Sequence, residues 1–311
     1  MNEILNKNLI LKVENLVTRF EIRSGIFSGI SGYVQAVDNI SFDLKKGQTL
    51  SLVGESGCGK TTTGRSILKL EEPTSGNIFF EGKNLSEIMG EELRKMRSSM
   101  QMIFQDPFSS LNPRMTVGEA IAEPMLIHNI FKGKELKEKV NELLVRVGIP
   151  IENSNRYPHE FSGGQRQRIC IARALGPKPS LIIADEAVSA LDVTIQAQII
   201  NLMMDLQDDF GISFLFISHD MAVVERISHK VAVMYLGRIV EIGSRRQVFE
   251  NPSHPYTQKL LNAVPVANPK KKRKTRNRSN EEVPSPVKPL GYETPPIKMD
   301  EIDDGHFVSI N

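Results

Sequence analysis

The chain reads as an α/β protein with a largely parallel sheet at its centre, and three stretches carry that expectation. Thr49–Val53 is a short apolar run followed at once by a glycine-rich loop and then by a helical stretch, Thr62–Leu70. Leu181–Ala184 is apolar at every position, as strands covered on both faces of a parallel sheet are, and it ends at two carboxylates. Between them, Leu136, Val140, Leu143, Leu144 and Val147 recur at helical spacing and make one apolar helix face.

Taken in order, residues 10–22 and 34–53 are β-rich, separated by an irregular Gly/Ser-containing insertion at Ser24–Gly32. That insertion is either a partner-facing loop or tolerated length, the second being the simpler reading. The loop that follows, Gly54-Glu55-Ser56-Gly57-Cys58-Gly59-Lys60-Thr61, fits GxxxxGK[ST]. A tight loop that aims successive backbone N–H groups at one anion needs small side chains and positive φ, which Gly54, Gly57 and Gly59 supply. Lys60 places a cation near the β- and γ-phosphates of a nucleotide, and the Thr61 hydroxyl is a ligand for Mg²⁺. Thr62 stands in the first turn of the next helix, whose N-terminus adds partial positive charge. A chance glycine-rich turn would not bring strand, helix, lysine and threonine together. Cys58, at a helix N-terminus, is expected to have a lowered thiol pKa, so that alkylation blocks turnover and ATP protects.

Glu91 to about Val147 reads as helical, and Ser213–Ile217 and Lys230–Tyr235 as strands. Leu181–Ala184 delivers Asp185 and Glu186 to the C-terminal end of a strand, where open α/β sheets bind ligands. Asp185 is placed to hold Mg²⁺ through water and Glu186 to polarise an attacking water as general base. The competing reading is a carboxylate pair capping a helix. Ser162-Gly163-Gly164 precedes the helical stretch Gln165–Leu175, so backbone N–H groups and a helix N-terminus again face an anion. That is a second phosphate site in one chain, unless the segment is an ordinary glycine hinge.

With these residues in place, the chain resembles the ATP-binding cassette (ABC) transporter ATPases over about residues 10–266. Gln105, in Phe104-Gln105-Asp106-Pro107, resembles the family's Q-loop glutamine, which senses Mg²⁺ and γ-phosphate and communicates with the membrane subunit. Ser162-Gly163-Gly164-Gln165 is similar to the family signature, with Phe161 where Leu is commoner. Ser189-Ala190-Leu191-Asp192 is similar to the D-loop, and His219 in Ile217-Ser218-His219-Asp220 to the switch histidine that contacts γ-phosphate. Phe20, after Val13-Glu14-Asn15-Leu16, resembles the aromatic that stacks on adenine. The resemblance implies a P-loop NTPase of the ABC cassette fold: a mixed/parallel sheet core, an antiparallel β subdomain, and an α-helical subdomain at about 91–160 that receives the coupling helices of the permease. It implies catalytic roles for Glu186, His219 and Gln105, metal binding by Thr61, Gln105 and Asp185, and ATP binding by Phe20, Gly54, Glu55, Ser56, Gly57, Cys58, Gly59, Lys60, Thr61 and Thr62. Ser162, Gly163, Gly164, Gln165 and Asp192 would act in trans, closing over the nucleotide held by a second cassette, so that two ATP molecules lie between the pair. Ala187 departs from the proline common in relatives, but both carboxylates beside it remain, which suggests a hydrolysis-competent site.

Asn251-Pro252-Ser253-His254-Pro255-Tyr256-Thr257 with Leu260-Leu261 resembles the C-terminal element, here about 240–266, of oligopeptide and dipeptide importer ATPases. Ile183–Ser189 and Phe216–Val240 look like the second cassette of glutathione-importer ATPases, in which two cassettes are fused. Such a subunit never meets the transported substrate, so no residue here reads glutathione or a peptide chemically. Many peptide-importer ATPases hold an iron–sulfur centre on a cysteine cluster; with only Cys58 and Cys170, four-cysteine ligation is not available and no iron–sulfur cluster is expected.

At 311 residues and 40% hydrophobic, the chain is ample for a globular core. No run approaches the roughly 18 apolar residues of a membrane span, and Met1–Leu9 is polar and mixed rather than a signal peptide. The expected location is therefore the cytoplasmic face of a bacterial inner membrane, reached through partners. A net charge of +2 implies no general nucleic-acid surface, and two cysteines imply no disulfide framework. Residues 267–311 read as a flexible tail: seven of the nine residues Lys270–Arg278 are basic, prolines recur at 284, 286, 289, 295 and 296, and Asp300–Asp304 is acidic and available to fold back on the basic run. A solvated linker is the default for this segment; attraction to anionic lipid is the sharper alternative.

The expected function is the ATP-hydrolysing subunit of an importer for small peptides, with glutathione a candidate. It would work with ATP and Mg²⁺, a second cassette, two transmembrane permease subunits and, indirectly, a substrate-binding protein, and with no nucleic acid. The alternatives are a di- or oligopeptide importer without glutathione activity, an exporter ATPase, and a soluble ABC ATPase of translation or DNA repair. Translation-type members usually carry two cassettes, and repair-type members a long coiled coil. Here one cassette has its phosphate loop and signature about one hundred residues apart, with no heptad array between.

Overall fold

Strands that are apolar at every position need cover on both faces, and the fold supplies it. The computed structural model describes residues 8–24, 29–263, 285, 287–292, 294, 295 and 297–310. In chain order its elements are β1 (Leu9–Ser24), β2 (Gly29–Lys45), β3 (Thr49–Val53), α1 (Lys60–Ile67), β4 (Ser75–Phe80), β5 (Lys83–Asn84), α2 (Gly90–Ser99), β6 (Met100–Ile103), α3 (Pro107–Ser110), α4 (Val117–Ile127), α5 (Gly133–Arg146), α6 (Gly163–Leu175), β7 (Leu181–Asp185), α7 (Val193–Phe210), β8 (Ser213–Ser218), α8 (Met221–Ile227), β9 (Lys230–Tyr235), β10 (Arg238–Ser244), α9 (Arg245–Glu250), α10 (Pro255–Ala263), β11 (Val287–Pro289), β12 (Met299–Asp303) and β13 (His306–Ser309).

The larger sheet runs β12-β13-β10-β9-β3-β8-β7-β6. Its five strands from β9 to β6 are parallel, and β10, β13 and β12 extend it antiparallel. The smaller sheet, β11-β2-β1-β4-β5, is antiparallel throughout. Alternate residues of the central strands feed two cores. Leu181, Ile183, Leu215, Ile217, Ala232 and Met234 pack with α1 residue Ile67 against the small sheet. Their neighbours Ile182, Ala184, Phe214, Phe216, Val231 and Val233 pack against the helical side, with Ile121, Leu144, Ile171 and Met203. The period-two side-chain alternation of a strand thus divides an all-apolar run between two layers.

Three expectations need correction. The helical stretch expected from Glu91 to Val147 is broken by β6, whose ends Met100 and Ile103 are buried and which pairs with β7 from Met100↔Leu181 to Ile103↔Ala184. Four residues with Gln101 among them carry too little pattern to betray a strand; the exposed edge of β7 makes it one. The insertion expected at Ser24–Gly32 is mostly hairpin, since Ser24 pairs with Gly29 and Arg23 with Ile30, while residues 25–28 lie outside the described ones. The tail expected to be flexible from 267 onward contributes strands: β11 pairs with β2, and β12 and β13 form a hairpin on β10. Phe307 and Val308 give that hairpin an apolar anchor, and its two-residue turn, Asp304-Gly305, has Gly305 at φ 69. The basic run Lys270–Arg278, and with it the expected fold-back of the acidic end, lies outside the described residues.

Candidate functional site

The strand register brings the candidate residues to one edge. Val53 pairs with Ser218, Asp185 with Ile217 and Ala184 with Ile103. Gly54, Gln105, Glu186 and His219, each one or two residues beyond those ends, therefore emerge side by side at the C-terminal edge of the sheet. The loop between β3 and α1 can only be built with glycine. Gly54, Gly57 and Gly59 have φ of 153, 80 and 105, and a Cβ at Gly54 or Gly59 would stand 2.1 Å from the Met234 carbonyl oxygen or 2.0 Å from that of Ala36. Glu55, Ser56 and Gly57 are exposed, whereas Cys58, Gly59 and Lys60 are buried. Lys60 Nζ donates to the carbonyls of Gly54 and Glu55, both at 2.8 Å, so its charge sits inside the curl of the loop.

Thr61 Oγ1 donates to Asp185 Oδ1 at 2.9 Å, which puts two hard oxygen donors together from opposite ends of the motif set. Burial raises the Asp185 carboxyl above its usual range, and Thr61, Arg65 and Lys60 only partly oppose that. Glu186 collects the others. Gln105 Nε2 donates to its Oε2 at 2.9 Å, and His219 Nδ1 lies 3.2 Å from its Oε1. Its backbone is in the left-handed region, φ 48, which an L side chain seldom adopts. Neighbouring bonds hold it there: its N–H donates to the Ile217 carbonyl at 2.9 Å, and its own carbonyl accepts from the Ser189 N–H at 3.1 Å and the Ser189 hydroxyl at 3.0 Å.

The segment expected to face a second anion, Ser162–Gln165, begins α6 and makes no hydrogen bond to the Glu186 group among the described residues. Ser162, Gly163 and Gln165 are exposed at the start of α6, and Ser162 with Gln165 makes a reciprocal capping box that takes up the N–H groups of Ser162 and Gln165 and leaves those of Gly163 and Gly164 outside it. Gly163 faces Leu191, and Gly164 lets Ile195 of α7 within 2.6 Å of where its Cβ would be, so Leu191 and the first turn of α7 back the start of α6. Asp192, exposed, begins α7. Phe20 is half-exposed in β1, opposite Val34 and two residues along β2 from Ala36, the residue against Gly59.

The lowered thiol pKa expected of Cys58 needs correction. The thiol is 6% exposed, and burial pushes its pKa up despite Lys60 nearby. The helix N-terminus does not prevail because the sulfur lies beneath the loop, 2.8 Å from where a Cβ on Gly54 would stand. One contact was missed in the sequence: Tyr256 Oη accepts the Glu55 N–H at 3.0 Å, 201 residues away. Its only sequence signal is the His-Pro-Tyr order, which marks a helix start.

A phosphate loop, a paired carboxylate–threonine and a glutamate held by glutamine and histidine, on a sheet of this topology, define an ATP-binding cassette. Residues 37–189 match the ABC transporter family model, and residues 240–291 match that of the oligopeptide/dipeptide transporter C-terminal region. The chain belongs to the ABC transporter ATP-binding family, in its oligopeptide/dipeptide branch. It is 57% identical over 300 residues to the glutathione import ATP-binding protein GsiA of Escherichia coli K12, and equally to that of Pectobacterium atrosepticum. Those matches cover 96% of this chain but 48% of the relatives, so the chain spans about half their length. Among solved structures it is similar to cbiO1 of Clostridium perfringens, part of an ABC transporter complex, with TM-score 0.67, 28% identity, and 78% and 92% of the two chains covered. It is also similar to the dimeric cassette MJ0796 bound to ADP and Pi, with TM-score 0.67, 26% identity, and 76% and 99% covered.

Proposed function

We propose that the chain is the ATP-hydrolysing subunit of an importer for small peptides, with glutathione the leading substrate. The observation that carries the chemistry is the convergence of Gln105 and His219 on Glu186 beside the Thr61–Asp185 pair. Glu186 can orient and deprotonate a water, His219 and Gln105 fix its carboxylate, and Lys60 with the loop N–H groups holds the phosphates. Thr61, Asp185 and Gln105 suit Mg²⁺, whose charge would favour ionised Asp185 and offset developing charge on the phosphoryl oxygens. The exposed signature, Ser162–Gln165, favours a face-to-face pair of cassettes, in which each covers the other's nucleotide.

Two permease subunits would dock on the helical side at about 91–160, keeping the chain peripheral at the cytoplasmic face of the membrane; a substrate-binding protein would act through the permease. No described helix is long and apolar enough to cross a membrane. What favours glutathione is the 57% identity to proteins named for its import. The deciding experiment is uptake of labelled glutathione and of a labelled dipeptide in cells with and without the gene, each competed with the other. Loss of glutathione uptake supports the reading. Loss of dipeptide uptake alone moves the chain to the broad peptide importers, and loss of neither overturns import of either.

A further inference from the structure

The His-Pro-Tyr segment joins the end of the chain to the phosphate loop through a continuous run of hydrogen bonds. His254 caps α10: its carbonyl accepts from Gln258 N–H at 3.1 Å, and its Nδ1 accepts from Tyr256 N–H at 3.1 Å. Pro255 takes the first helical position, where no N–H is needed. That start aims Tyr256 inward, 8% exposed, its ring centroid 4.3 Å from that of Tyr235 and its hydroxyl on the Glu55 N–H. Burial pushes the phenol's pKa up, so Oη stays a neutral acceptor. On the far side the segment hangs from Glu241 of β10, which is fully buried. Its Oε1 accepts from Ser253 N–H at 3.0 Å and lies 2.8 Å from His306 Nε2, and its Oε2 accepts from His254 N–H at 2.9 Å. A buried carboxylate needs such partners, and His306 comes from β13 of the C-terminal hairpin.

We propose that Tyr256 is a positioning residue for the phosphate loop, and that the C-terminal hairpin holds it in place through His306 and Glu241. Glu55 follows Gly54 directly, so pinning its N–H fixes where the remaining loop N–H groups begin, before any nucleotide arrives. The inference rests on the reading of the chain as an ATPase.

The test is Tyr256→Phe in the full chain, which keeps the ring and removes the acceptor. Equilibrium MgATP binding, KM and kcat for ATP, and thermal midpoint are compared with wild type. The expected result is a Kd and KM for ATP raised about tenfold, with kcat at saturating ATP and the thermal midpoint near wild type. A variant with wild-type Kd, whatever its midpoint, overturns the proposal, because packing alone then explains the tyrosine. His306→Ala should weaken ATP binding in the same direction, and the double variant by less than the product of the two, since both break one chain of contacts. A double variant showing the full product removes the hairpin from the proposal. A wild-type chain that binds no ATP would instead fell the ATPase reading.

Discussion

Glu186 meets its partners from a backbone angle of 48° that its side chain disfavours, held by Ile217 on one side and Ser189 on the other. The turn sends the carboxylate back toward Gln105 and His219 rather than along the strand. Glu186→Gln keeps the size and one acceptor oxygen but not the charge or the basicity. Its kcat for ATP should fall by a factor of about 10² to 10⁴ while ATP affinity holds, a split read by phosphate release beside direct ATP titration. Cys58 teaches the opposite lesson. A position in a phosphate loop predicts reactivity, yet a thiol that is 6% exposed, with its pKa raised by burial, should label slowly in the native chain and quickly in denaturant. Mass-spectrometric time courses under both conditions check this; fast native labelling would restore the sequence expectation.

At the scale of elements, two histidines act as neutral acceptors. His229 Nδ1 accepts the Thr49 N–H at 3.1 Å, tying the turn between α8 and β9 to the start of β3, and His254 Nδ1 accepts the Tyr256 N–H at the start of α10. A protonated imidazole cannot accept those bonds. Burial lowers both pKa values below 6.5, against Glu241 beside His254 and with Arg245 reinforcing it at His229. The unfolded chain therefore takes up protons first as the pH falls. The stabilisation is complete above 6.5 and is lost as the pH drops below it toward the lowered folded values. Thermal midpoints measured across that range should fall with pH, and His229→Asn, which keeps an acceptor without a titration, should flatten the slope.

For the whole molecule, the end of the chain closes the large sheet. The β12–β13 hairpin covers the edge of β10, sets Phe307 against the apolar core and supplies His306 to Glu241. Removing residues 298–311 should cost about 1–3 kcal/mol for the lost partner of Glu241 alone, seen as a lower urea midpoint in paired unfolding curves. An unchanged midpoint would make the hairpin ornamental. The hairpin was hidden because composition dominates a short acidic segment: Asp300, Glu301 and Asp303 read as solvated charge, while the informative signals were only Asp304-Gly305 and the pair Phe307-Val308.

Local chemistry was legible wherever one loop or one strand end carries it. The glycines of the phosphate loop and the all-apolar run before Asp185 announce their backbone in a few residues, because the steric demand is itself local. What no local pattern could specify is which distant groups complete each other: Gln105 and His219 on Glu186, Thr61 on Asp185, Tyr256 on Glu55, His306 on Glu241. The pairings on Glu186 and Asp185, like the conversion of Met100–Ile103 into a strand, depend on the register of parallel strands far apart in the chain, whereas those of Tyr256 and His306 depend on α10 and on the antiparallel pairing of β13 with β10. Only the packed sheet sets that register, since buried polar groups and open strand edges find their partners together.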